Sequence, residues 1–233
     1  MLQKFLGIGR KHPIEIVREM DEFNKVRGSF SHTTSRFRCE LIQYLLDNEA
    51  RGPVIEVGTL NGGMTSLFAY VGKLTGRKIF GVDSMPHSVK ATEETCRHFG
   101  VDADIFCGHL KDFLPQLTER PDLVFIDSDH SYDITLNELK VLHSQPFIPR
   151  CIVLHDFNYR QHHQLKWPRE QNPIAVDTAC EDFFSDRPKP IFKRIGGLSG
   201  DGTVNTPKNR GGLGTDGDYI KDFGSEGMMI FHP

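Results

Sequence analysis

The sequence predicts an α/β fold: a doubly wound, mostly parallel sheet with helices on both faces, preceded by N-terminal helices. Three observations carry this. Short apolar runs recur as VIEVG, KIFGVD, ADIFC, DLVFID and CIVLHD between Val54 and Asp156. Helix-compatible stretches separate them, as right-handed crossovers between parallel strands require. The runs are continuously apolar rather than alternating, as strands covered on both faces must be.

The elements follow in order. Two helices come first, Pro13 to Val26 and Thr34 to Asn48. In the second, Phe37, Leu41, Tyr44, Leu45 and Asn48 recur at three- and four-residue steps and share one face. Gly52 and Pro53 end that pattern. Between the strands, GMTSLFAYVGKL, SVKATEETCRHF (closed by Gly100), LKDFLPQL and TLNELKVLHS read as helices. After Asp156 comes the polar stretch NYRQHHQLKWPREQNP, which holds the only tryptophan. IAVDTACEDFF then reads as a helix, and PIFKRI and GMMIFH as final strands. Gly196 to Gly224 holds nine of the 22 glycines and is expected to be an excursion with no core of its own. The expected organisation is a helical extension over residues 1–53 and one domain over 54–233, with a glycine-rich insertion at about 196–225.

Bulk properties narrow the function. Hydrophobic residues make up 38% of the 233, charged residues 25%, and the net charge is −3, an ordinary globular composition. No basic face points to nucleic acid. No apolar run approaches the length of a membrane span, and charges and Pro13 interrupt the N-terminal segment, which lacks the apolar centre of a secretory signal. The five cysteines are odd in number and form no CxxC pair, so reduced thiols and a cytoplasmic location are expected.

Ligands of such sheets bind beyond the carboxyl ends of the strands. The first strand ends in EVGTLNGG, Glu56 to Gly63. This is G-x-x-x-G-G, with Leu60 where a dinucleotide-binding turn has the glycine that admits a pyrophosphate. No lysine completes a phosphate loop, so the turn suits an adenosine without phosphates. The second strand ends in Asp83, placed to accept from ribose hydroxyls. The third ends in Cys107-Gly108-His109, the fourth in Asp127, Asp129 and His130, the fifth in His155-Asp156. Each has a plainer reading. Gly62 and Gly63 also serve close packing, Asp83 capping, and Asp129 a helix N-terminus or the orientation of His130. His130 and His155 also suit a structural role.

From EVGTLNGG through GVDSMPHSV, GHLKDFLPQL, DLVFIDSDHSYD and IVLHD, the chain resembles the class I S-adenosylmethionine-dependent methyltransferases. Within them it is similar to the small-molecule O-methyltransferases of the catechol and caffeoyl-CoA type and their bacterial relatives. The resemblance implies a Rossmann-like sheet of seven strands, with PIFKRI and GMMIFH as the sixth and seventh. It implies S-adenosyl-L-methionine as cofactor and a small hydroxylated acceptor. Glu56, Gly58 and Gly62 would line the methionine end, Asp83 would hold the ribose, Met85 would cover the adenine, and His109 would sit near its edge. Thr59, Gly63, Ser84, Gly108, Asp127 and Asp129 complete the implied cofactor set. Asp127 matches an acid that binds a divalent metal in those relatives. His130 stands where they carry a basic lysine and becomes the candidate general base.

The relatives follow the fifth strand with Asp-Asn, both ligands; here Asp156 precedes Phe157, leaving His155 or Asn158 to substitute. Asp127, Asp156 and His155 are therefore the candidate metal ligands, with magnesium or manganese as the implied ions. The competing chemistry is a metal-dependent hydroxylase or hydrolase using Asp127, Asp129, His130, His155 and Asp156. A nicotinamide oxidoreductase is disfavoured by the missing glycine. The acceptor pocket is expected from the N-terminal helices and the Asn158 to Pro173 loop with Arg160, His162, His163 and Trp167. Relatives include monomers and dimers, so a homodimer stays open.

Overall fold

The computed structural model describes residues 11–31, 33–157, 174–196 and 226–233. The Asn158 to Pro173 loop and nearly all of the glycine-rich stretch lie outside the described residues.

Helix α1 (Pro13–Val26) begins with a capping box. The His12 ring accepts from Ile14 N–H, Glu15 accepts from His12 N–H, and Pro13 fills the first turn, where a missing N–H costs nothing. Helix α2 (Ser35–Asp47) is capped by Thr34, whose hydroxyl accepts from Phe37 N–H. Both helices bury one face: Ile16, Val17 and Met20 on α1, and Phe37, Leu41, Ile42 and Leu45 on α2. These residues share one core with Phe68, Phe125 and Val153, so the helices before residue 53 pack as part of the main body.

The rest alternates as β1 (Val54–Val57), α3 (Gly63–Thr75), β2 (Ile79–Asp83), α4 (Pro86–Phe99), β3 (Ala103–Cys107), α5 (Leu110–Phe113), β4 (Leu123–Ile126), α6 (Tyr132–His143), β5 (Cys151–Leu154), α7 (Val176–Phe183), β6 (Ile191–Ile195) and β7 (Gly227–Phe231). The seven strands form one sheet in the order β3-β2-β1-β4-β5-β7-β6. The first five are parallel, and β7 runs antiparallel between β5 and β6. This is the seven-stranded, mostly parallel sheet expected. At its far end, Glu226 N–H donates to Ile195 C=O at 2.9 Å, so the chain re-enters beside the residue pair where β6 finished.

Side-chain alternation sorts the core into two layers. Val54, Phe125 and Val153 face α1 to α4, whereas Ile55, Val57, Val124, Ile126 and Leu154 face α5, α6 and α7. At the amino ends of the strands, Arg77 Nε donates to the fully buried Asp122 Oδ2 at 3.0 Å. The strand order reverses between β1 and β4, which opens a crevice above their carboxyl ends. No described helix is long and apolar enough to cross a membrane, and all five cysteines are free.

Candidate active site

The β1–α3 turn is held from below. Gly58 has φ +83°, and a Cβ there would lie 2.3 Å from the Asp127 carbonyl oxygen, so only glycine lets the turn rest on the end of β4. Asp83 secures the turn from β2: Oδ2 accepts from Thr59 N–H at 2.9 Å and Leu60 N–H at 3.0 Å, and Oδ1 from Met85 N–H at 2.8 Å. The Thr59 hydroxyl also donates to Oδ2, at 3.4 Å, so the acceptor capacity left for a ligand hydroxyl is on Oδ1. Leu60 and Asp156, both on the cavity wall, hold left-handed backbone at φ 47° and 51°, a strain that marks built sites.

The crevice holds a cavity of about 610 Å³. Of the residues singled out from sequence, Gly58, Asp83, Ser84, Gly108 and His109 line it from the β1 to β3 side. Asp127, Asp129, His130, His155 and Asp156 line it from the β4 and β5 side. Glu56, Thr59, Gly62, Gly63 and Met85 are not among its lining residues.

The reasons are local. Glu56 alternates with the cavity-facing Val57, so its side chain points under α3, where Thr65 Oγ1 donates to it at 2.6 Å. Burial pushes its carboxyl well above the usual range, and the nearby Asp127 and Asp83 carboxylates add to this, against the Thr65 bond. Gly63 serves close packing: a Cβ there would lie 2.0 Å from Phe30 C=O in the α1–α2 connection. Gly62 backs onto α4, with Thr95 Oγ1 at 2.8 Å from such a Cβ. Thr59 is buried beneath the turn, and Met85 is half exposed at the start of α4.

At the β4 and β5 ends, His130 Nε2 stands 3.6 Å from Asp156 Oδ2 and 3.9 Å from Asp127 Oδ1. Asp129, at the cavity rim, accepts from Ser131 N–H at 2.8 Å; the Ser131 side chain and this backbone bond hold its carboxyl below the usual range, and the contact fastens the start of α6. His155 is 2% exposed. Its Nδ1 lies 2.7 Å from Asp127 Oδ1, an ion-pair contact bent away from a straight hydrogen bond, and its Nε2 lies 3.1 Å from Glu226 Oε1. Burial alone would favour the neutral ring, but the Asp127 and Asp156 charges and the contacts to Asp127 and Glu226 outweigh it, raising the ring well above the ordinary histidine value. Glu226 also accepts from Thr34 N–H and the Thr34 hydroxyl, joining the site to the start of α2.

This arrangement does not fit the candidate metal ligands. Carboxylates stand against both ring nitrogens of His155, so neither nitrogen faces the open cavity where a cation would sit. No group of three His, Cys, Asp or Glu among the described residues is placed to hold a metal ion. Asn158 lies outside the described residues.

Sequence reasoning passed over Ile134, Glu138, Ser128 and Glu226. Ile134 and Glu138 lie four apart on α6 and line the cavity together. The helix begins at Tyr132, three residues before the sequence pattern placed it, and the earlier start was the signal that would have exposed the pair. Glu226 had no signal, because its contact with His155 spans 71 positions.

The sequence family described as a methyltransferase domain matches residues 55–157. No curated protein matches the chain. Among solved structures, the O-methyltransferase from Bacillus cereus, in complex with S-adenosylhomocysteine, superposes with a TM-score of 0.59 at 16% identity, over 97% of this chain and 94% of that one. The O-methyltransferase TomG from Streptomyces achromogenes, in complex with S-adenosylmethionine, gives 0.56 at 15%, over 100% and 95%. The S-adenosylhomocysteine-bound methyltransferase PaMTH1 from Podospora anserina gives 0.59 at 14%, over 94% and 88%. At these identities the likeness is one of fold. The domain match covers the strands whose ends build the cavity, so residues 55–157 are similar to a methyltransferase domain and the fold around them is one shared with O-methyltransferases.

Proposed function

We propose that this protein transfers a methyl group from S-adenosylmethionine to a hydroxyl of a small-molecule acceptor, with His130 as general base. The observation that carries the reading is the charge of the cavity. Five carboxyl side chains line it, Asp83, Asp127, Asp129, Glu138 and Asp156, and no lysine or arginine does so among the described residues. Such walls favour a cationic ligand and disfavour a phosphorylated one. The O-methyltransferases from Bacillus cereus and Streptomyces achromogenes, bound to S-adenosylhomocysteine and S-adenosylmethionine, support the same donor and reaction.

When bound, the donor supplies a sulfonium-activated methyl group, whose transfer needs in-line contact with a nucleophile. The residues of this chain do the rest. Asp83 and the turn at Gly58 hold the ribose and its approach to β1. Asp127 and Asp156 present negative charge toward the sulfonium and the acceptor. His130, with Nε2 within 4 Å of both carboxylates, takes the acceptor's proton, and they stabilise the imidazolium that forms.

The test is release of S-adenosylhomocysteine from S-adenosylmethionine with a panel of catechols, phenols and aliphatic alcohols. The expected result is turnover with one acceptor class, lowered about 10²–10⁴-fold in His130→Ala with donor affinity held. Turnover unchanged in His130→Ala would remove the base assignment. No binding of S-adenosylhomocysteine to the wild type would remove the whole reading.

A further inference from the structure

The cavity has two unlike halves. Over β4 and β5 it is walled by Asp127, His130 and Asp156. Toward α5 and α6 its walls are the apolar side chains of Val82, Leu110 and Ile134, and beside them stand Ser128 and Glu138. Val82 precedes Asp83 and Leu110 follows His109, so the apolar slot opens directly beside the carboxylate assigned to the ribose.

Glu138 is only 8% exposed. Ser128 Oγ donates to its Oε1 at 2.7 Å, which orients the carboxyl, while Oε2 is buried with no hydrogen-bond partner. An unpartnered carboxyl oxygen in an apolar slot is costly, and native structures rarely leave one without a use. The side chain belongs to the helix face that carries Ile134, so the acid and the apolar wall are presented together.

We infer that Glu138 reads the amino-bearing edge of the cofactor's adenine, oriented for that task by Ser128. The inference rests on the methyltransferase reading and goes beyond it, since it assigns base recognition to a residue of α6. Adenine has two apolar faces and a polar edge, and its exocyclic amine is a hydrogen-bond donor. Val82, Leu110 and Ile134 suit the faces, and the spare oxygen of Glu138 suits the amine. Burial pushes the Glu138 carboxyl up to about 7, so it titrates where such a recognition group can be ionised by its ligand.

The test compares two probes on the full chain by calorimetry at about pH 8.5, where the acid is ionised: S-adenosylhomocysteine, and its 6-deamino analogue in which hydrogen replaces the amine. The wild type is expected to prefer the adenine probe by about tenfold or more, because the analogue leaves a buried acceptor unpaired. Glu138→Leu, which keeps the slot apolar, is expected to bind the two probes within about threefold of each other. Equal affinities in the wild type, or an undiminished preference in Glu138→Leu, would overturn the inference and leave the methyltransferase reading standing. Failure of the wild type to bind S-adenosylhomocysteine would overturn both. If Glu138→Leu does not fold, Ser128→Ala, which frees the carboxyl from its orienting bond, is expected to reduce the preference, and an undiminished preference there would overturn the inference.

Discussion

Asp127 Oδ1 and His155 Nδ1 stand 2.7 Å apart at the ends of neighbouring parallel strands, and the other nitrogen of the same ring faces Glu226. The buried ring, whose proton these neighbours hold more tightly, thus ties a cavity carboxylate to one at the start of β7, the strand on its other side. Removing it would leave the fully buried Glu226 without one of its partners and Asp127 without its nearest cation.

His155→Leu should therefore destabilise the fold by about 3 kcal/mol or more, measured by denaturant unfolding. The pH dependence gives a sharper check. The folded ring holds its proton more tightly than the unfolded one, which titrates near about 6.5. Its contribution is whole below that pH and is lost as pH rises through the higher folded value. The wild-type Tm should fall more steeply than that of His155→Leu as pH rises from about 6.5 to 9. Parallel Tm profiles would contradict a charged ring.

Asp83 has two duties, holding the turn and receiving the ligand. Asp83→Ala should weaken S-adenosylhomocysteine binding by about 10- to 100-fold in a calorimetric titration. Asp83→Asn keeps acceptor oxygen but presents N–H groups to the N–H groups of Thr59, Leu60 or Met85, so it should also lose affinity, by at least about tenfold. An unchanged affinity in both would remove Asp83 from the site.

Gly58→Ala combines a left-handed backbone with a Cβ driven into the Asp127 carbonyl. The expected cost is at least about 2 kcal/mol, a fall in Tm of roughly 4–8 °C for a chain of this size. Because the displaced neighbour is the end of β4, cofactor affinity should fall with it.

At the opposite end of the strands, Asp122→Ala strands the Arg77 guanidinium in a buried position. A loss of about 3–5 kcal/mol is expected in chemical denaturation. The affinity of the folded fraction for S-adenosylhomocysteine should remain within about twofold, since no residue of the pair lines the cavity.

Much of this architecture is legible in the sequence because burial on both faces leaves a direct trace. VIEV, LVFI and CIVL are fully buried strands, and LVFI and CIVL run straight into Asp127 and His155-Asp156 at the crevice. That is why Asp83, Asp127, His130 and Asp156 can be picked out by position alone. Glu56 shows where the same logic stops, since it lies inside its strand and period-two alternation sends it to the α3 side. Gly63 looks like part of a ligand turn, yet its neighbour is Phe30, a contact from a separate connection that spacing cannot reveal. Glu226 is harder still. Its role exists only because β7 inserts antiparallel between β5 and β6, a pairing between segments that share no local pattern.

The junction between Ile195 and Glu226 has a consequence for how this sequence can vary. The chain departs and returns at adjacent rungs of one ladder, and both rungs are fixed by bonds that do not involve the residues between them. The pairing of Ile195 with Glu226 and Gly227 therefore fixes where β6 and β7 meet. The one acid at that junction, Glu226, is the anchor that any variation there has to keep.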